Sequence, residues 1–341
     1  MGVSSEFLNP SEAARRLGIS AKALRLYEQR GLIAPVRSAA GWRAYGPAEM
    51  ERASEIAALR ALGFSLASVA RALKGDLGTL DCALASHQAT LEERIRHLIA
   101  AADKVRDLRD ALARGEPPRP RDLTHLLERA SPLDVAFDLP WPWGGERFEL
   151  RDIGALTYIT GPLGSGKTRL ARRLAEEMPD AVFLDLERSA ENSRAARARL
   201  ADDPALASRV DRTLAWLIED GGTESDALDV LLAALESQEP RVLVIDMIEQ
   251  GLDGLTQEAL IALLRRRGPA ARPLFLLTRS TAILDLESVG AGESILFCPA
   301  NHGVPMRVAP YPGAPGHEAL ASCLASPEVR ARTEGIVAVR R

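Results

Sequence analysis

The stretch Gly161-Pro162-Leu163-Gly164-Ser165-Gly166-Lys167-Thr168 fills every position of the pattern G-x-x-x-x-G-K-[ST]. A short apolar run, 156–159, precedes it, and a helical stretch begins at Arg169. Glycines in such a loop let backbone N–H groups turn inward around phosphate oxygens, and the positive end of the following helix adds to the attraction. The sequence therefore predicts a strand–loop–helix unit that binds nucleotide phosphates within an α/β domain.

Individual positions of this loop have predictable roles. We expect Lys167 to reach the outer phosphates, Thr168 to take a Mg²⁺ position and Arg169 to line the same site. Arg241 and the apolar run 242–245 lead to Asp246, which is the usual second Mg²⁺ partner and acts through water. The predicted cofactors are therefore ATP, or another nucleotide, and Mg²⁺.

A different kind of unit is predicted at the N-terminus. Asn9 caps a first helix that ends at Gly18, and Ser20 caps a second helix that ends near Gly31. Two helices joined by so tight a turn are typical of a helix-turn-helix, although capped tight turns are common in other helical domains.

The sequence that follows resembles the MerR family of transcription regulators. The resemblance covers about 70 residues and rests on the runs 23–28 (ALRLYE), 30–33 (RGLI), 41–45 (GWRAY) and 59–66 (LRALGFSL). It implies a winged helix-turn-helix whose second helix enters the major groove of double-stranded promoter DNA and whose wing, about 36–45, presses on the backbone. The residues expected to contact DNA are Ser20, Lys22, Arg25, Tyr27, Arg37, Trp42, Arg43 and Tyr45.

Charge is unevenly distributed along the chain. The stretch 9–74 carries 11 Lys and Arg against 5 Asp and Glu, whereas the whole chain has a net charge of −4. A basic block on an acidic chain favours a polyanion partner for that block, although an ordinary solvated surface has the same composition.

A heptad pattern follows the helix-turn-helix. Apolar residues recur every seven positions, and further apolar residues widen the stripe. This pattern predicts a long coiled-coil helix, with a surface helix of the next domain as the alternative, and the family resemblance implies an antiparallel homodimer. The expected dimerisation residues are Leu84, Leu91, Ile95, Leu98, Ala102, Val105 and Leu112.

Metal sensing is not expected. Cys82 matches a metal-ligand position of metal-sensing MerR proteins, but the later cysteines that those sensors need are missing after Ala113. The three cysteines of the chain have no zinc spacing, so we expect no structural metal.

The sequence thus predicts a multidomain protein: an all-α winged helix-turn-helix (1–75), a coiled-coil helix (76–114), a linker (115–131), an α/β P-loop nucleotide-binding domain (132–312) and a C-terminal helical tail (313–341). The beginning of the chain is not a signal peptide, and no apolar run approaches 18 residues. We therefore expect a cytoplasmic protein without a membrane partner.

The P-loop domain resembles ABC-type ATPases in the run 246–253, in Gly221-Gly222 at the signature position and in Thr278-Arg279-Ser280. It departs from them where hydrolysis needs catalytic groups. Met247 stands where the catalytic Glu follows the Mg²⁺ Asp, and a thioether accepts no proton from water. Arg279 replaces the His that senses the γ-phosphate, and Asp220 stands at the signature serine position.

We therefore expect nucleotide binding, while hydrolysis stays open. Glu249 is the only nearby carboxylate that could act as the base. Trp143 and Phe148 are candidates for stacking on the adenine, with core packing as the alternative. A resemblance to small P-loop kinases also remains, in which Asp185 would be the acceptor base and an Arg-rich helix would cover the phosphate. The arginines of that lid would be Arg188, Arg194, Arg197 and Arg199.

The leading hypothesis is a dimeric transcription regulator. Nucleotide binding would alter promoter DNA conformation and so act indirectly on RNA polymerase. The alternatives are an active ATPase or phosphotransferase tethered to DNA, and a P-loop domain that only recruits a partner protein.

Overall fold

The chain folds into an N-terminal head and a larger α/β domain, each with its own apolar core. The computed structural model describes these residues: 7–37, 41–62, 64–76, 133–185, 190–268, 271–290, 292–333 and scattered positions between 78 and 114. The predicted linker, 115–131, lies outside the described residues.

Four helices form the head: α1 (Pro10–Leu17), α2 (Ala21–Gln29), α3 (Pro47–Ala61) and α4 (Leu66–Ala72). The capping box at Asn9 forms as predicted, and α1 ends at a left-handed Gly18. The first two helices pack through apolar residues that include Leu24, which is fully buried. The helix-turn-helix predicted from these caps is therefore present.

The predicted wing is a short antiparallel hairpin. Strand β1 (Val36–Arg37) pairs with β2 (Arg43–Ala44), and Tyr45 bridges back to Leu8 at the start of the head. This bridge fixes the base of the hairpin to the helical core.

The described positions between 78 and 112 are helical. Ala102 is exposed, and so are the large apolar side chains Leu84, Ile95, Ile99, Val105 and Leu112. Leu91 and Leu98 lie outside the described residues. A stripe of exposed large apolar side chains along a helix is what one strand of a coiled coil presents without its partner.

A six-stranded sheet forms the centre of the α/β domain, in the order β10-β9-β5-β8-β7-β6. The first five of these strands in the chain run parallel, and β10 is antiparallel to β9. The strands are β5 (Leu156–Thr160), β6 (Ala181–Leu184), β7 (Val242–Ile245), β8 (Leu274–Leu277), β9 (Glu293–Phe297) and β10 (Met306–Arg307).

Both faces of the sheet are covered, which explains why β5, β7 and β8 are buried along their whole length. A separate hairpin, β3 (Leu133–Asp138) with β4 (Arg147–Ile153), contributes with α5 to one core. The helices of the domain are α5 (Lys167–Glu177), α6 (Ala190–Asp202), α7 (Pro204–Glu219), α8 (Asp226–Glu236), α9 (Gly254–Arg266), α10 (His317–Ala321) and α11 (Pro327–Thr333).

The described part of the C-terminal segment, 313–333, contains the helices α10 and α11 and packs on the α/β domain. Leu320 of α10 is fully buried in the same core as α7, α8 and α9, and Ala325 bridges to Ser280. The boundary expected at 313 therefore does not separate two bodies. None of the described helices is long and apolar enough to cross a membrane.

A core substitution should test this packing. Leu276 in β8 is 0% exposed, so Leu276→Ala should lower the free energy of unfolding of the α/β domain by about 2–5 kcal/mol. Leu255→Ala is the matched control because Leu255 is 47% exposed, and it should change stability by less than about 0.5 kcal/mol. Urea denaturation followed by circular dichroism measures both, and equal effects would contradict the described core.

Candidate nucleotide site and nucleic-acid interface

The loop between β5 and α5 has the backbone geometry that its glycines predict. Gly161, Gly164 and Gly166 have φ angles of 152°, 79° and 90°. A Cβ atom on Gly161 would lie 2.3 Å from the carbonyl oxygen of Cys298, so a larger residue does not fit there without moving the backbone. The tight loop therefore depends on glycine both for conformation and for space.

Lys167 is the first residue of α5, and its ammonium group is buried against the loop. Its Nζ donates to the carbonyl oxygens of Gly161 at 2.8 Å and Pro162 at 2.6 Å. Burial lowers the pKa of Lys167 from its ordinary value. The chain thus places a desolvated cation inside the loop, where it attracts phosphate oxygens strongly.

Thr168 and Asp246 meet although 78 positions separate them in sequence. The Thr168 hydroxyl donates to Oδ2 of Asp246 at 3.1 Å, and Asp246 directly follows β7. Burial raises the pKa of Asp246. A hydroxyl and a carboxylate are hard oxygen donors of the kind that Mg²⁺ prefers, so these two residues fit the predicted metal position.

Three buried polar atoms without a partner lie next to this loop in the described part of the chain. They are Oγ1 of Thr160, Oε2 of Glu249 and Nε of Arg279. Thr160 ends β5, Arg279 lies two residues beyond β8, and Glu249 lies four residues beyond β7. A buried polar atom without a partner costs about 1–3 kcal/mol. Phosphate oxygens accept hydrogen bonds, so they would satisfy the two donors, Thr160 Oγ1 and Arg279 Nε, and these two residues fit a nucleotide.

Glu249 is held in place through only one of its two carboxylate oxygens. Its Oε1 accepts from the backbone N–H of Arg279 at 3.0 Å and from Nη1 of Arg330 at 3.0 Å. Met247, at the position of the expected base, has a left-handed backbone with φ of 44°. Met247 offers no proton acceptor, whereas the second oxygen of Glu249, Oε2, is buried without a hydrogen-bond partner.

The aromatic candidates from the sequence belong to the core. Trp143 and Phe148 are buried, and Trp143 Nε1 donates to the carbonyl of Gly303 at 3.0 Å. Trp141, which sequence reasoning missed, is 69% exposed, and the Arg169 guanidinium lies 4.5 Å from its ring centroid. The turn Trp141-Pro142-Trp143-Gly144-Gly145 could have indicated an exposed aromatic ring near the phosphate loop. The sequence pattern of the turn does not show which of its two tryptophans is exposed.

Of the described residues of the kinase-like alternative, Asp185 lies beside Asp246, whereas the arginines of the lid lie on α6. Arg197 pairs with Asp226 at 2.7 Å and with Asp229 at 3.2 Å, which ties it to α8. Arg194 and Arg199 are exposed on α6, and Arg188 lies outside the described residues. Asp185 pairs with Arg172 at 2.7 Å. The arrangement is that of an exposed helix with scattered charges.

Several predicted DNA contacts are exposed in the head. Arg25 is exposed on α2, Trp42 is exposed on the wing, and Arg37 donates to the carbonyl of Gly41 at 3.2 Å. Arg43 pairs with Glu28 at 2.9 Å. Ser20 is buried and accepts from the backbone N–H of Ala23 at 3.0 Å, so its hydroxyl caps α2.

The two tyrosines are turned into the protein. Tyr45 is buried and its hydroxyl donates to Glu28, while Tyr27 is buried near Arg60 and Asp220. Burial raises the pKa of both phenols. The sequence predicts phosphate contacts for both hydroxyls, and this conformation does not offer them because each lies within the packed head or at its contact with the α/β domain.

Fold and site together define a DNA-binding head joined to a P-loop domain, and comparison with known proteins agrees. A family model described as MerR HTH family regulatory protein matches residues 8–76, and one described as AAA domain matches residues 152–277. The chain is 36% identical over 118 residues to a probable heavy metal-dependent transcriptional regulator of Haemophilus influenzae, covering 33% of this chain and 92% of that protein. The chain belongs to the MerR family of transcription regulators and carries a P-loop ATPase-type domain.

One further relative and two solved structures are similar to parts of this chain. The nodulation protein NolA of Bradyrhizobium elkanii is 33% identical over 98 residues, which is 28% of this chain and 44% of NolA. A MerR regulator lacking the sensor domain, solved on promoter DNA, matches with 24% identity and a TM-score of 0.28, over 33% of this chain and 92% of that one. A dimeric bacterial ABC transporter cassette matches with 14% identity and a TM-score of 0.37, over 52% and 99%.

The raised pKa of Asp246 leads to a stability prediction. Since the folded pKa lies above the unfolded value, the stability linked to the protonated form is fully present below the unfolded pKa and is lost as the pH rises through the folded pKa. Asp246→Asn should therefore melt at a higher temperature than the wild type at neutral pH, and this advantage should shrink as the pH falls. Thermal melts across pH measure it, and a variant that is less stable at neutral pH would contradict it.

Proposed function

We propose that this MerR-family regulator binds a nucleoside triphosphate with Mg²⁺ at its P-loop and uses the bound nucleotide as a signal. The observation that carries the proposal is the assembly of a buried Lys167, the Thr168–Asp246 pair and two orphaned donors, on Thr160 and Arg279, around one loop. Bound Mg²⁺ would supply charge neutralisation of the phosphates. Lys167 and the loop N–H groups would hold the phosphates, and Thr168 with Asp246 would hold the metal.

Signalling rather than turnover is favoured by what surrounds this site. Hydrolysis needs a water that is positioned and deprotonated beside the terminal phosphate. Met247 provides no proton acceptor, and Arg279 and Arg330 hold Glu249 through Oε1 in an orientation that leaves its Oε2 buried. The nucleotide would therefore persist long enough to shift an equilibrium between two states of the regulator, provided that it binds one state more tightly.

Trp141 is proposed to stack on the base of the nucleotide. Its ring is exposed, and it lies against Arg169, which follows directly on the phosphate loop. An aromatic face beside a phosphate site gives a nucleotide a second, apolar point of attachment.

The head and the heptad helix would transmit the nucleotide signal to promoter DNA. A homodimer formed through the exposed apolar stripe at 84–112 would present two heads to promoter DNA. A change in the spacing of the heads would deform the DNA between them and so act indirectly on RNA polymerase.

Lys167→Ala tests the signal. The variant should lose nucleotide affinity by about tenfold or more, since hydrogen bonds to charged groups contribute about 1.5–3 kcal/mol. Equilibrium dialysis with labelled ATP and Mg²⁺ measures binding, and promoter activity is followed in parallel. DNA binding should persist at the level of the nucleotide-free wild-type protein, while nucleotide dependence disappears. Arg173→Ala, on the same helix but outside the loop, is the charge-matched control. Intact nucleotide-dependent regulation in Lys167→Ala would refute the proposal.

Trp141→Ala tests the base platform. Aromatic–base stacking contributes about 1–3 kcal/mol, so ATP affinity should fall by about fivefold to a hundredfold, whereas Trp141→Phe should retain most of it. The affinity for inorganic triphosphate, which has no base, should be the same in both variants. A loss of triphosphate affinity equal to the loss of ATP affinity would mean that Trp141 supports the loop instead.

Two other functions remain as outcomes of these measurements. Clear steady-state phosphate release that disappears in Asp246→Asn would establish an active ATPase or phosphotransferase. Absence of any nucleotide binding in the presence of Mg²⁺ would favour a domain that only recruits a partner protein.

A further inference from the structure

Carboxylates of the α/β domain hold basic and hydroxyl groups of the DNA-binding head. The carboxylates are Glu219 and Asp220 at the end of α7 and Glu258 on α9. The head supplies residues from α2, α3 and α4 and the turn between the last two. The head residues in contact are Lys22, Arg30, Arg60, Ser65, Leu66, Ser68 and Arg71.

Asp220 forms the centre of this contact. Arg60 grips its carboxylate with both terminal nitrogens, at 2.5 and 3.0 Å, and the backbone N–H of Leu66 donates to Oδ1 at 2.7 Å. Arg30 donates to the Asp220 carbonyl at 3.3 Å. The Asp220 side chain is only 3% exposed. A bidentate pair with so little solvent is geometrically specific, and loss of one partner leaves the other charge uncompensated.

Glu219 extends the contact along α4. Its Oε2 accepts from the hydroxyls of Ser65 at 2.8 Å and Ser68 at 3.1 Å, and its Oε1 lies 3.5 Å from Arg71. The α/β domain therefore contacts the head through several polar groups at once, which fixes its orientation more firmly than a single ion pair would.

The third carboxylate touches the helix that the MerR relationship assigns to the major groove. Lys22 Nζ on α2 lies 2.9 Å from Oε1 of Glu258. Tyr27, on the same helix, is buried close to Asp220. DNA phosphates would compete with Glu258 for the Lys22 ammonium group, and a duplex seated along α2 would have to displace α9 from this position.

We propose that the docked α/β domain autoinhibits the head, with Glu219, Asp220 and Glu258 holding basic groups of the head away from DNA phosphates. This inference rests on the proposed function, because it supplies the two states between which the nucleotide would choose. DNA binding then requires undocking, so the measured dissociation constant equals the intrinsic one divided by the fraction of undocked heads.

The nucleotide site is physically close to the docking surface. Glu249 beside the P-loop pairs with Arg330 of α11, and Pro327 of the same helix packs against Gly254 at the start of α9. Glu258 lies one turn further along α9. A displacement of α9 or α11 on nucleotide binding would therefore move Glu258 relative to Lys22.

Variants that remove the negative charge of the α/β-domain carboxylates test the inference without altering the head. In nucleotide-free full-length protein, the double variant Asp220→Asn, Glu258→Gln should bind a labelled duplex of mixed sequence about tenfold more tightly if about a tenth of wild-type heads are undocked. Asp211→Asn removes one charge from an exposed position of the same helix and serves as control for the general gain in affinity. Fluorescence anisotropy measures all of these affinities.

The single variant Glu258→Gln keeps the test sound if the loss of Asp220 disturbs folding. It changes a half-buried surface pair, and it should still bind DNA more tightly than Asp211→Asn does. Affinities that equal the control in both the single and the double variant would overturn the proposal.

A zero-length carbodiimide cross-link provides a direct readout in the wild-type protein. The Lys22 amine and the Glu258 carboxylate are close enough to form an amide bond with loss of water, and peptide mass spectrometry detects the product. Saturating duplex DNA should suppress this cross-link, and Glu258→Gln should lack it. A cross-link that is absent without DNA, or unchanged with DNA, would contradict autoinhibition. Neither experiment involves nucleotide, so failure here is distinguishable from failure of nucleotide binding in dialysis.

Discussion

The parallel direction of β5, β8 and β7 is the constraint on which the site depends. Because parallel strands share one direction, their carboxyl ends meet at the same edge of the sheet. The phosphate loop, Asp246, Glu249 and Arg279 all follow those ends, although they are spread over more than a third of the chain. The sheet is buried on both faces, so this edge is rigid, and the desolvated Lys167 and Asp246 are held in a region where charge interacts strongly.

A second buried interaction joins the two halves of the molecule. Asp220 closes α7 and pairs with Arg60 across 160 positions of sequence. A buried charge pair contributes little net stability, because desolvation of the two groups offsets their attraction. It does require a specific geometry, and such specificity suits a switch between two discrete arrangements. The same contact places Glu258 on Lys22. The surface that favours DNA by its charge is thereby connected to the domain that carries the nucleotide loop.

Much of this architecture could be predicted because it depends on local sequence. The capping box at Asn9 and the terminating Gly18 mark helix ends that form wherever the chain is placed, and the glycines of 161–166 permit only one kind of loop. The sequence could not show that Trp143 is buried and Trp141 exposed. The two tryptophans lie two residues apart in one turn, and only the packing of the core decides which ring is buried. The sequence showed Asp220 only as a departure from the ABC signature motif. Its partner, Arg60, belongs to the head and could not be predicted from that motif.

The sequence by itself determined the class of each domain, the phosphate loop with its Mg²⁺ partner and the loss of the expected catalytic Glu at Met247. These features follow from residue type and short-range spacing, which local backbone preferences translate directly into structure. Only the tertiary structure decided that Glu249 is engaged by Arg330, that the C-terminal segment completes the α/β core and that Lys22 meets Glu258. Those contacts join residues that are far apart in the chain, and their existence depends on how separately formed elements pack.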